Sequence, residues 1–522
     1  MAPSKKKAES SSEVSSKSKD EKKSSPKISP LPSIAIAVVA FLGGLLTPPA
    51  LHMLRHQDDV NSRFVNVSFM DRQIICILLA LKKNAFLTML ARRDRSTSSS
   101  YAPLPFPLPK HTPCTSSNLD NFLHAAPVSG LHVVCVEPMY LGVDGKDHMF
   151  PQWSDSRQQQ KMLNQFNSVR ITLYKNSHAA PTINTVVLRG EDSEDVGERL
   201  PVAWNNVKSL LYMELGLLHE GSQQQPWAIF TPSGERMIGE LDEVTNGDGV
   251  GSSRHIMSSF VASGMVVVAQ GGNWLWPGVR EGFQRTIKLA SSDDAAGSRN
   301  ITIETLSLKP LVLSVKGFLT DDECDYIAKQ AEPTLQYSGV SLKDADVGKA
   351  ASNWRTSQST FLSAQGDQIL TDIEHRTASL TRVPRSHQEH VQVLRYGHTE
   401  KYDAHHDYFD PESYRSDQNT LSLIQYGKKN RFATVFWYLT DVEDGGHTIF
   451  PRAGGLREVS YTDCSRGLKV KPQKGKVIIF YSLDASGARD PSSLHGACPV
   501  GEGNVKWAAN KWIWNAPMAY VS

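Results

Sequence analysis

A short stretch of the sequence, KYDAHHDYF at residues 401–409, places two histidines side by side and an aspartate directly after them. If this stretch is an extended strand, its side chains alternate between two faces. His405 and Asp407 then share one face and His406 points to the other, so His405 and Asp407 are the pair that can bind one metal ion. The best candidate for a third ligand is His495, in SSLHGACPV.

Two histidines and one carboxylate on one side of a metal ion leave coordination positions free for substrates. This is the ligand set of the non-haem Fe(II) oxygenases. Zinc accepts the same ligand types, although it more often takes a closed set or three histidines. A histidine and an aspartate at this spacing also occur by chance. These residues alone therefore leave iron, zinc and no metal open.

The sequence around these residues helps to decide between iron, zinc and no metal. Residues 309–517 contain, in order, VKGFLTDDECDYI, NWRTSQSTFL, VQVLRYGHTEKYDAHHDYF, RFATVFWYLTDVEDGGHTIFP, GLKVKPQKGKVIIFYSL, SLHGACPV and KWAANKWIWN. This series resembles the catalytic domain of the prolyl 4-hydroxylases (alpha-subunit-like), which are dioxygenases dependent on Fe(II) and 2-oxoglutarate. The resemblance extends through about two-fifths of the chain.

The resemblance implies a role for each matching residue. His405, Asp407 and His495 would bind Fe(II). Lys506 would pair with the far carboxylate of 2-oxoglutarate, a task that suits the point charge of an ammonium group. O2 would be the second cosubstrate and ascorbate a further cofactor. The implied reaction is hydroxylation of proline at C4, coupled to conversion of 2-oxoglutarate to succinate and CO2.

Five further residues match positions around this centre. The hydroxyls of Tyr396 and Thr448 are expected to assist the cosubstrate. Arg355 and Arg431 resemble positions near the peptide channel. Trp514 replaces a histidine that is common in the family, and strand alternation puts it on the same face as the cosubstrate lysine. We therefore expect Trp514 to line the mouth of the site.

Two other departures from the family pattern are visible. Lys506 lies one residue further from His495 than is usual, and the extra residue falls in the GEGN turn. His447 stands in GGHT where the family usually has glutamate. Neither change removes a predicted ligand.

The predicted fold class is α+β. Thr320 to Glu323 form a capping-box pattern that predicts a helix start, and a second helix is predicted over residues 367–380. Strand patterns follow. Two helices followed by strands predict helices that buttress one β-sandwich or barrel, and the resemblance implies that it is a double-stranded β-helix (jelly roll). The patterns of the preceding residues predict a mixed, mostly β accessory domain and an N-terminal membrane anchor.

The predicted organisation has five parts. Residues 1–33 form a basic disordered tail, 34–54 a signal anchor, 55–128 a stem with a proline-rich linker, 129–308 an accessory domain of unknown role, and 309–522 the dioxygenase domain. Within the accessory domain, GGNWLWPGVREGF at 271–283 is rich in aromatic residues. It fits a binding surface, but also core and turn.

The anchor prediction rests on a lysine- and serine-rich run followed by IAIAVVAFLGGLL at residues 34–46. A basic flank before an apolar segment is typical of a signal peptide or signal anchor. The positive-inside rule then places the basic tail in the cytosol. We therefore expect a single-pass type II protein of the endoplasmic reticulum or Golgi membrane, with its catalytic domain in the lumen.

The net charge and the cysteine content argue against some classes of partner and of fold. The net charge of +2 argues against a nucleic-acid partner. The 6 cysteines contain no CxxC pair, which argues against a structural zinc finger or a disulfide scaffold. Cys464 and Cys498 flank a predicted strand pair, which suggests a disulfide between them.

Three functions remain. The leading one is a prolyl 4-hydroxylase acting on proline-rich or collagen-like polypeptides of the secretory pathway. The second is an oxygenase with the same cosubstrate that acts on another residue or a small molecule. The third is a peptide-binding module without activity, which would have lost a ligand or the lysine. The sequence leaves the oligomeric state open.

Overall fold

The computed structural model describes residues 108–518 apart from 152, 154, 189–195, 218–226, 240–248 and 290–298. The basic tail and signal anchor predicted over residues 1–54 lie outside this range, as does most of the predicted stem. Among the helices of the described part, none combines the length and the apolar character that crossing a membrane requires.

The described residues form seven α-helices and twenty strands. The helices are α1 (Ser116–Leu119), α2 (Ser156–Gln165), α3 (Val196–Leu215), α4 (Gly249–Ser263), α5 (Asp321–Ala331), α6 (Gln368–Thr381) and α7 (Gln418–Leu423). The first eight strands are β1 (Leu131–Leu141), β2 (Asp147–Met149), β3 (Ser168–Tyr174), β4 (Ile183–Leu188), β5 (Ala228–Phe230), β6 (Arg236–Gly239), β7 (Met265–Ala269) and β8 (Gln284–Leu289). The next six are β9 (Arg299–Leu308), β10 (Leu311–Lys316), β11 (Gln336–Tyr337), β12 (Gln358–Leu362), β13 (Val391–Tyr396) and β14 (Tyr402–His405). The last six are β15 (Arg431–Tyr438), β16 (Thr448–Phe450), β17 (Leu468–Val470), β18 (Val477–Tyr481), β19 (His495–Ala497) and β20 (Lys506–Trp514).

Strands β8 to β20 build a two-layered sandwich. The larger sheet has nine strands in the order β11-β12-β13-β20-β15-β18-β10-β9-β8, and the smaller has four in the order β14-β19-β16-β17. The side chains between the two sheets form one buried cluster, which includes Phe436, Phe450 and Phe480. This is the predicted jelly roll, and the space between its sheets contains the residues with predicted chemical roles.

Helices α5 and α6 support the outer face of the larger sheet, as predicted. Thr320 caps α5: its hydroxyl accepts a hydrogen bond from the Glu323 backbone, and the Glu323 carboxylate accepts one from the Thr320 backbone. This reciprocal pair satisfies two backbone donors that the first turn leaves free. At the start of α6, the Asp367 carboxylate accepts a single hydrogen bond from the Leu370 amide. Both predicted helix starts are therefore confirmed.

Residues 108–270 form a separate sheet, here called the amino-terminal unit. Its seven strands run in the order β4-β3-β1-β7-β5-β6, with β2 paired to β1. Helices α2, α3 and α4 cover one face through a buried cluster that includes Trp204 and Phe260. The segment before β1 is part of this unit, because a disulfide joins Cys114 to Cys135.

The other face of this sheet packs against the sandwich. One continuous buried cluster contains Val133 and Val267 of the amino-terminal unit together with Ile373 of α6 and Ile479 of the larger sheet. The structure therefore differs from two predicted boundaries. Residues 108–128, predicted as stem, pack into the amino-terminal unit. The boundary at 308 and 309 falls in the turn between β9 and β10, two paired strands of the larger sheet.

In the aromatic segment at 271–283, residues 274–279 are buried between the two parts, and residues 280–282 are exposed. Trp274 and Trp276 pack edge to face with ring centroids 5.3 Å apart. The Trp276 indole donates a hydrogen bond of 2.7 Å to the Leu380 carbonyl at the end of α6. Because these rings are inaccessible, this segment is core and turn, and the binding-surface interpretation is wrong.

Candidate metal centre

The three predicted metal ligands meet at one end of the space between the sheets. His405 ends β14 and His495 begins β19, and these two residues are direct partners across the antiparallel pair. Asp407 follows two residues after His405. Sequence positions about 90 residues apart are therefore joined by the strand pairing of the smaller sheet.

The ligand atoms are close enough to share one ion. His405 Nε2 lies 3.7 Å from Asp407 Oδ1, and His495 Nε2 lies 3.6 Å from Asp407 Oδ2. One ligand atom from each residue falls within 4.8 Å of the others, and this is the one such cluster among the described residues. Two imidazole nitrogens and one carboxylate form the donor set of the facial triad.

Hydrogen bonds to the backbone orient both histidine rings. His405 Nδ1 lies 2.9 Å from the Asp403 carbonyl oxygen, and His495 Nδ1 lies 3.0 Å from the Ser493 carbonyl oxygen. Since a carbonyl oxygen only accepts, each Nδ1 carries the proton and donates it. Each Nε2 then presents its lone pair to the metal, which is the usual arrangement for metal-bound histidine.

The Asp407 carboxylate is held in a similar way. The Thr434 hydroxyl donates a hydrogen bond of 2.5 Å to Oδ2. Burial would raise the pKa of Asp407, but the charges of His495, His405 and Arg431 and the Thr434 hydroxyl lower it to about 2. Burial, together with the charge of His495, lowers the pKa of His405 to about 3. An anionic carboxylate beside neutral imidazole is the protonation state that metal binding requires.

His406 is excluded from this cluster. Its Nε2 donates to the Pro491 carbonyl oxygen at 3.0 Å, and its ring stacks on Tyr408. The predicted separation of the two neighbouring histidines is therefore confirmed, although the strand ends at His405 and does not extend through residues 406–409 as the alternation argument assumed.

Lys506 lies in the same interior, between the two sheets. Its side chain is fully buried and its Nζ has no hydrogen-bond partner. The rings of Tyr396, Phe436 and Tyr438 surround it, with centroids 5.2 to 5.7 Å from Nζ. Burial lowers the pKa of Lys506 to about 7. A buried cation with no counter-charge is costly, so this position is built for an anionic ligand.

The two predicted hydroxyl groups have different surroundings. Thr448 is buried and accepts a hydrogen bond of 2.7 Å from the Tyr438 hydroxyl. Tyr396 is buried opposite Lys506 in the pairing of β13 with β20. Thr448 lies opposite Ala497, two residues after the distal histidine. Both hydroxyls thus lie in the interior that contains the lysine and the metal ligands.

A cavity of about 890 Å³ opens onto His405 and Asp407. Arg355 and Arg431 line it, as the resemblance implied. The Arg355 guanidinium lies 4.7 Å from the ring centroid of Tyr402, which itself stacks on His405 at 3.7 Å. The cavity therefore gives direct access to the metal centre.

Trp514 differs from its prediction. It is buried and is not among the cavity-lining residues, whereas Trp512 is. The Trp514 indole donates a hydrogen bond of 2.6 Å to Glu389 Oε1. The pairing of β15 with β20 is irregular at Arg431, and Trp514 packs beneath the cavity wall against Phe409. Strand alternation thus gave the correct face, but the end of the strand is covered.

Sequence reasoning missed three residues of the site. Thr434 holds Asp407, Tyr438 holds Thr448, and Glu389 accepts two hydrogen bonds, of 2.6 and 2.9 Å, from Arg431. Thr434 and Tyr438 alternate within the apolar strand ATVFWY, and a polar residue on the inner face of such a strand is the signal that could have identified them. Glu389 has no comparable signal.

These residues fit Fe(II) and 2-oxoglutarate. Three oriented ligand atoms converge on one point, and the unpaired Lys506 ammonium lies deeper in the same interior. The metal site opens to the cavity through His405 and Asp407, Lys506 is fully buried, and both sites lie between the same two sheets. This is the combination that an iron ion and a dicarboxylate cosubstrate need.

Comparison with known proteins supports the same conclusion. Residues 391–514 match the family model described as the 2OG-Fe(II) oxygenase superfamily. The chain is 39% identical over 233 residues to probable prolyl 4-hydroxylase 7 of Arabidopsis thaliana, covering 44% of this chain and 70% of that protein. It is 40% identical over 220 residues to prolyl 4-hydroxylase 2 of the same plant, covering 40% of this chain and 69% of that protein.

Among solved structures, the chain matches a viral collagen prolyl hydroxylase from Paramecium Bursaria Chlorella virus-1 in complex with 2-oxoglutarate. The identity is 26%, the match covers 39% of this chain and 95% of that chain, and the TM-score is 0.28. The assignment rests on the plant relatives, the superfamily match and the site. The chain is a 2-oxoglutarate-dependent dioxygenase that uses Fe(II) and O2, and it belongs to the prolyl 4-hydroxylase family.

Proposed function

We propose that this enzyme hydroxylates proline within extended, proline-rich or collagen-like segments of secretory-pathway proteins. The observation that carries this proposal is the cavity of about 890 Å³ that opens onto His405 and Asp407. Its walls combine aromatic and cationic side chains, among them Trp354, Tyr402, Tyr408, Arg431 and Trp512. A site of this size and composition fits a peptide segment.

Proline-rich segments suit such a cavity for an entropic reason. They occupy the extended polyproline conformation before binding, so little ordering is needed on entry. Aromatic walls offer flat apolar surfaces to pyrrolidine rings. The Arg431 guanidinium lies 3.6 Å from the Trp512 ring centroid and donates two hydrogen bonds to Glu389, which orient it in this wall.

Bound Fe(II), with 2-oxoglutarate and O2, supplies the oxidation of an unactivated C–H bond. The chain itself positions the participants. His405, Asp407 and His495 would hold the metal, Lys506 would pair with one carboxylate of the cosubstrate, and the cavity walls would hold the target residue beside His405 and Asp407. The Tyr396, Phe436 and Tyr438 rings around Lys506 belong to the buried cluster between the two sheets.

The secretory setting is supported by the cysteines. Disulfides join Cys114 to Cys135 and Cys464 to Cys498, so four of the five cysteines in the described part of the chain are oxidised. The predicted Cys464–Cys498 pair is among them. Stable disulfides are typical of proteins that fold in an oxidising compartment. We propose an endoplasmic reticulum or Golgi protein, held by an anchor at residues 34–54, with its catalytic part in the lumen.

The proposal is tested with the full-length chain, freed of metal and then supplied with Fe(II), 2-oxoglutarate and ascorbate. A panel of peptides would contain polyproline, collagen-like Gly-X-Y repeats and matched sequences with alanine in place of proline. Succinate release and a mass gain of one oxygen atom would be measured together. We expect hydroxyproline in the proline-containing peptides and no modification of the alanine peptides.

Two other outcomes would change the conclusion. Succinate release without hydroxyproline would mean that the acceptor is a different residue or a small molecule. Hydroxyproline in the collagen-like peptide but not in polyproline, or the reverse, would define the substrate class. For the compartment, an endoglycosidase-sensitive shift of the Asn300 sequon in cells indicates lumenal residence, and its absence together with reduced cysteines would contradict it.

A further inference from the structure

The amino-terminal unit contributes no ligand to the metal centre, yet it contacts the chain segment that precedes one. This segment is the turn at residues 483–490, which lies between β18 and the distal histidine. Asp484 closes the turn on itself: its carboxylate accepts hydrogen bonds from the backbone amides of Ser486 and Ala488, at 2.9 and 3.1 Å. The turn is thus a compact piece that moves, or stays fixed, as one body.

Two glycines of the amino-terminal unit and its connection pack against the tip of this turn. A Cβ atom added at Gly130 would lie 2.2 Å from the Ser486 backbone nitrogen. One added at Gly271 would lie 2.5 Å from the Gly487 backbone nitrogen. The Gly271 amide also donates a hydrogen bond of 2.8 Å to the Ala485 carbonyl oxygen. Only residues without a side chain permit backbones to approach this closely.

The turn in turn fixes the distal ligand. Its last residue, Asp490, donates from its backbone amide to Ser482 at the end of β18, at 2.9 Å. The Ser493 hydroxyl donates to the Asp490 carbonyl oxygen at 2.7 Å. The Ser493 carbonyl oxygen then accepts the bond that orients the His495 ring. The connection from Asp490 to His495 is therefore short and held at each step.

The same turn reaches the wall of the cavity. Arg489 forms an ion pair with Asp410, a residue that lines the cavity three positions after the aspartate ligand. The Arg489 guanidinium also lies 5.8 Å from the ring centroid of Tyr408, a second cavity residue. The turn is therefore connected to His495 through Ser493 and contacts the wall of the cavity proposed to receive the peptide.

We propose that the amino-terminal unit, together with the connection that follows it, is a positioning element of the active site: contacts of Gly130 in the unit and Gly271 in the connection fix the turn at 483–490, and the turn fixes His495 and the cavity wall at Asp410. This goes beyond the proposed function, since it assigns a role to residues 108–270 whatever the substrate is. Because close-packed contacts transmit small displacements, a side chain at either glycine displaces the turn.

The test compares three single variants of the full-length chain. Gly130→Ala and Gly271→Ala place a methyl group into the turn. Gly145→Ala is the matched control for the first, because Gly145 and Gly130 have similar positive φ values, of 70° and 77°, but a Cβ at Gly145 meets nothing within 4 Å. The readout is the dissociation constant for Fe(II) alone, measured at a temperature where circular dichroism shows each variant folded.

We expect Fe(II) to bind about tenfold more weakly to both contact variants, as is typical when the support of a metal ligand is disturbed. The control should bind Fe(II) like the parent chain. Equal Fe(II) affinity in all four proteins would overturn the proposal. Metal binding is independent of the acceptor, so this result is separate from any failure to hydroxylate proline.

Arg489→Gln provides a second variant in case a contact variant does not fold, because this ion pair is partly exposed and its loss leaves the core intact. It removes the charge that joins the turn to Asp410. We expect the KM for a hydroxylated peptide to rise about threefold to tenfold, with kcat and Fe(II) affinity nearly unchanged. An unchanged KM would overturn the link between the turn and the cavity wall.

Discussion

The metal end and the lysine end of the sandwich interior differ in the hydrogen bonding of their polar side chains. At the metal end each ligand has a supporting hydrogen bond: His405 to a backbone carbonyl, His495 to another, and Asp407 from Thr434. At the lysine end Lys506 Nζ has no partner at all. The metal ligands are therefore oriented before an ion binds, whereas Lys506 would obtain a polar partner only from a bound anion.

This difference has an energetic meaning. Lowering the pKa of a lysine from 10.5 to about 7 corresponds to on the order of 5 kcal/mol of unfavourable interaction for its charged form. The fold tolerates this cost because a bound carboxylate would replace the lost hydration. The metal ligands respond to burial differently: it lowers the pKa of His405 to about 3, so this ring is neutral, while neighbouring charges and the Thr434 hydroxyl offset the desolvation of the Asp407 carboxylate. Metal binding is therefore favoured by ligands that are already oriented. Binding of a carboxylate is favoured because it relieves the desolvation of Lys506.

The largest expected effect comes from the metal end. Asp407→Ala or His495→Ala removes one of three ligands, and we expect bound iron and hydroxylation to fall below detection. The exposed His148 near Asp144 in the amino-terminal unit provides a control, because His148→Ala removes a histidine–carboxylate pair away from the site. Iron content by elemental analysis, with activity in parallel, checks this. Full iron occupancy in either ligand variant would contradict the assignment of the triad.

The second prediction contrasts the two ends directly. Lys506→Met removes the buried charge without leaving a partner behind. We expect 2-oxoglutarate to bind about 100-fold more weakly, while the cosubstrate-free protein unfolds at a higher temperature. Lys511, also fully buried, donates to Glu374 at 2.7 Å, so Lys511→Met should lower the unfolding temperature instead. Calorimetry and cosubstrate titration measure both. A destabilised Lys506→Met protein would mean that this lysine has a partner.

The third prediction weakens one support of the metal end. Thr434→Val keeps the shape of the side chain but removes its hydrogen bond to Asp407. We expect Fe(II) affinity to fall about tenfold, with the three ligands still in place. Thr434→Ser should restore most of the affinity, because it retains the hydroxyl. Equal affinities of the valine and serine variants would show that the hydroxyl does not support the carboxylate.

The smallest expected effect is a pH dependence of 2-oxoglutarate affinity at the lysine end. Lys506 is protonated below its pKa of about 7, so 2-oxoglutarate affinity should be constant at lower pH and fall as pH rises. Between pH 7 and pH 8 the protonated fraction decreases about fivefold, and affinity should follow. Isothermal titration across this range, with Lys506→Arg as a permanently charged comparison, checks the sign. Affinity that increases with pH would exclude a protonated lysine as the binding group.

The sequence by itself identified much of the site because the relevant information was local. Alternation in KYDAHHDYF separated His406 from its neighbours, and the capping pattern at Thr320 predicted a helix start. Recognisable motifs brought His495 and Lys506 into the same prediction. These features depend on strand periodicity and on short-range hydrogen bonding, which one stretch of chain specifies.

Tertiary structure decided the rest, for a common reason: the deciding contacts join residues far apart in the chain. Trp514 has the predicted face, but Glu389 and Phe409 cover it. The close contact of Gly130 with the turn near Ser486 depends on two sheets packing together. The domain boundary predicted near residue 308 is not observed, because β9 pairs with β10 across it and one continuous core contains residues from both sides. Local sequence determines which face of a strand a side chain occupies, whereas its contacts depend on how distant parts of the chain pack together.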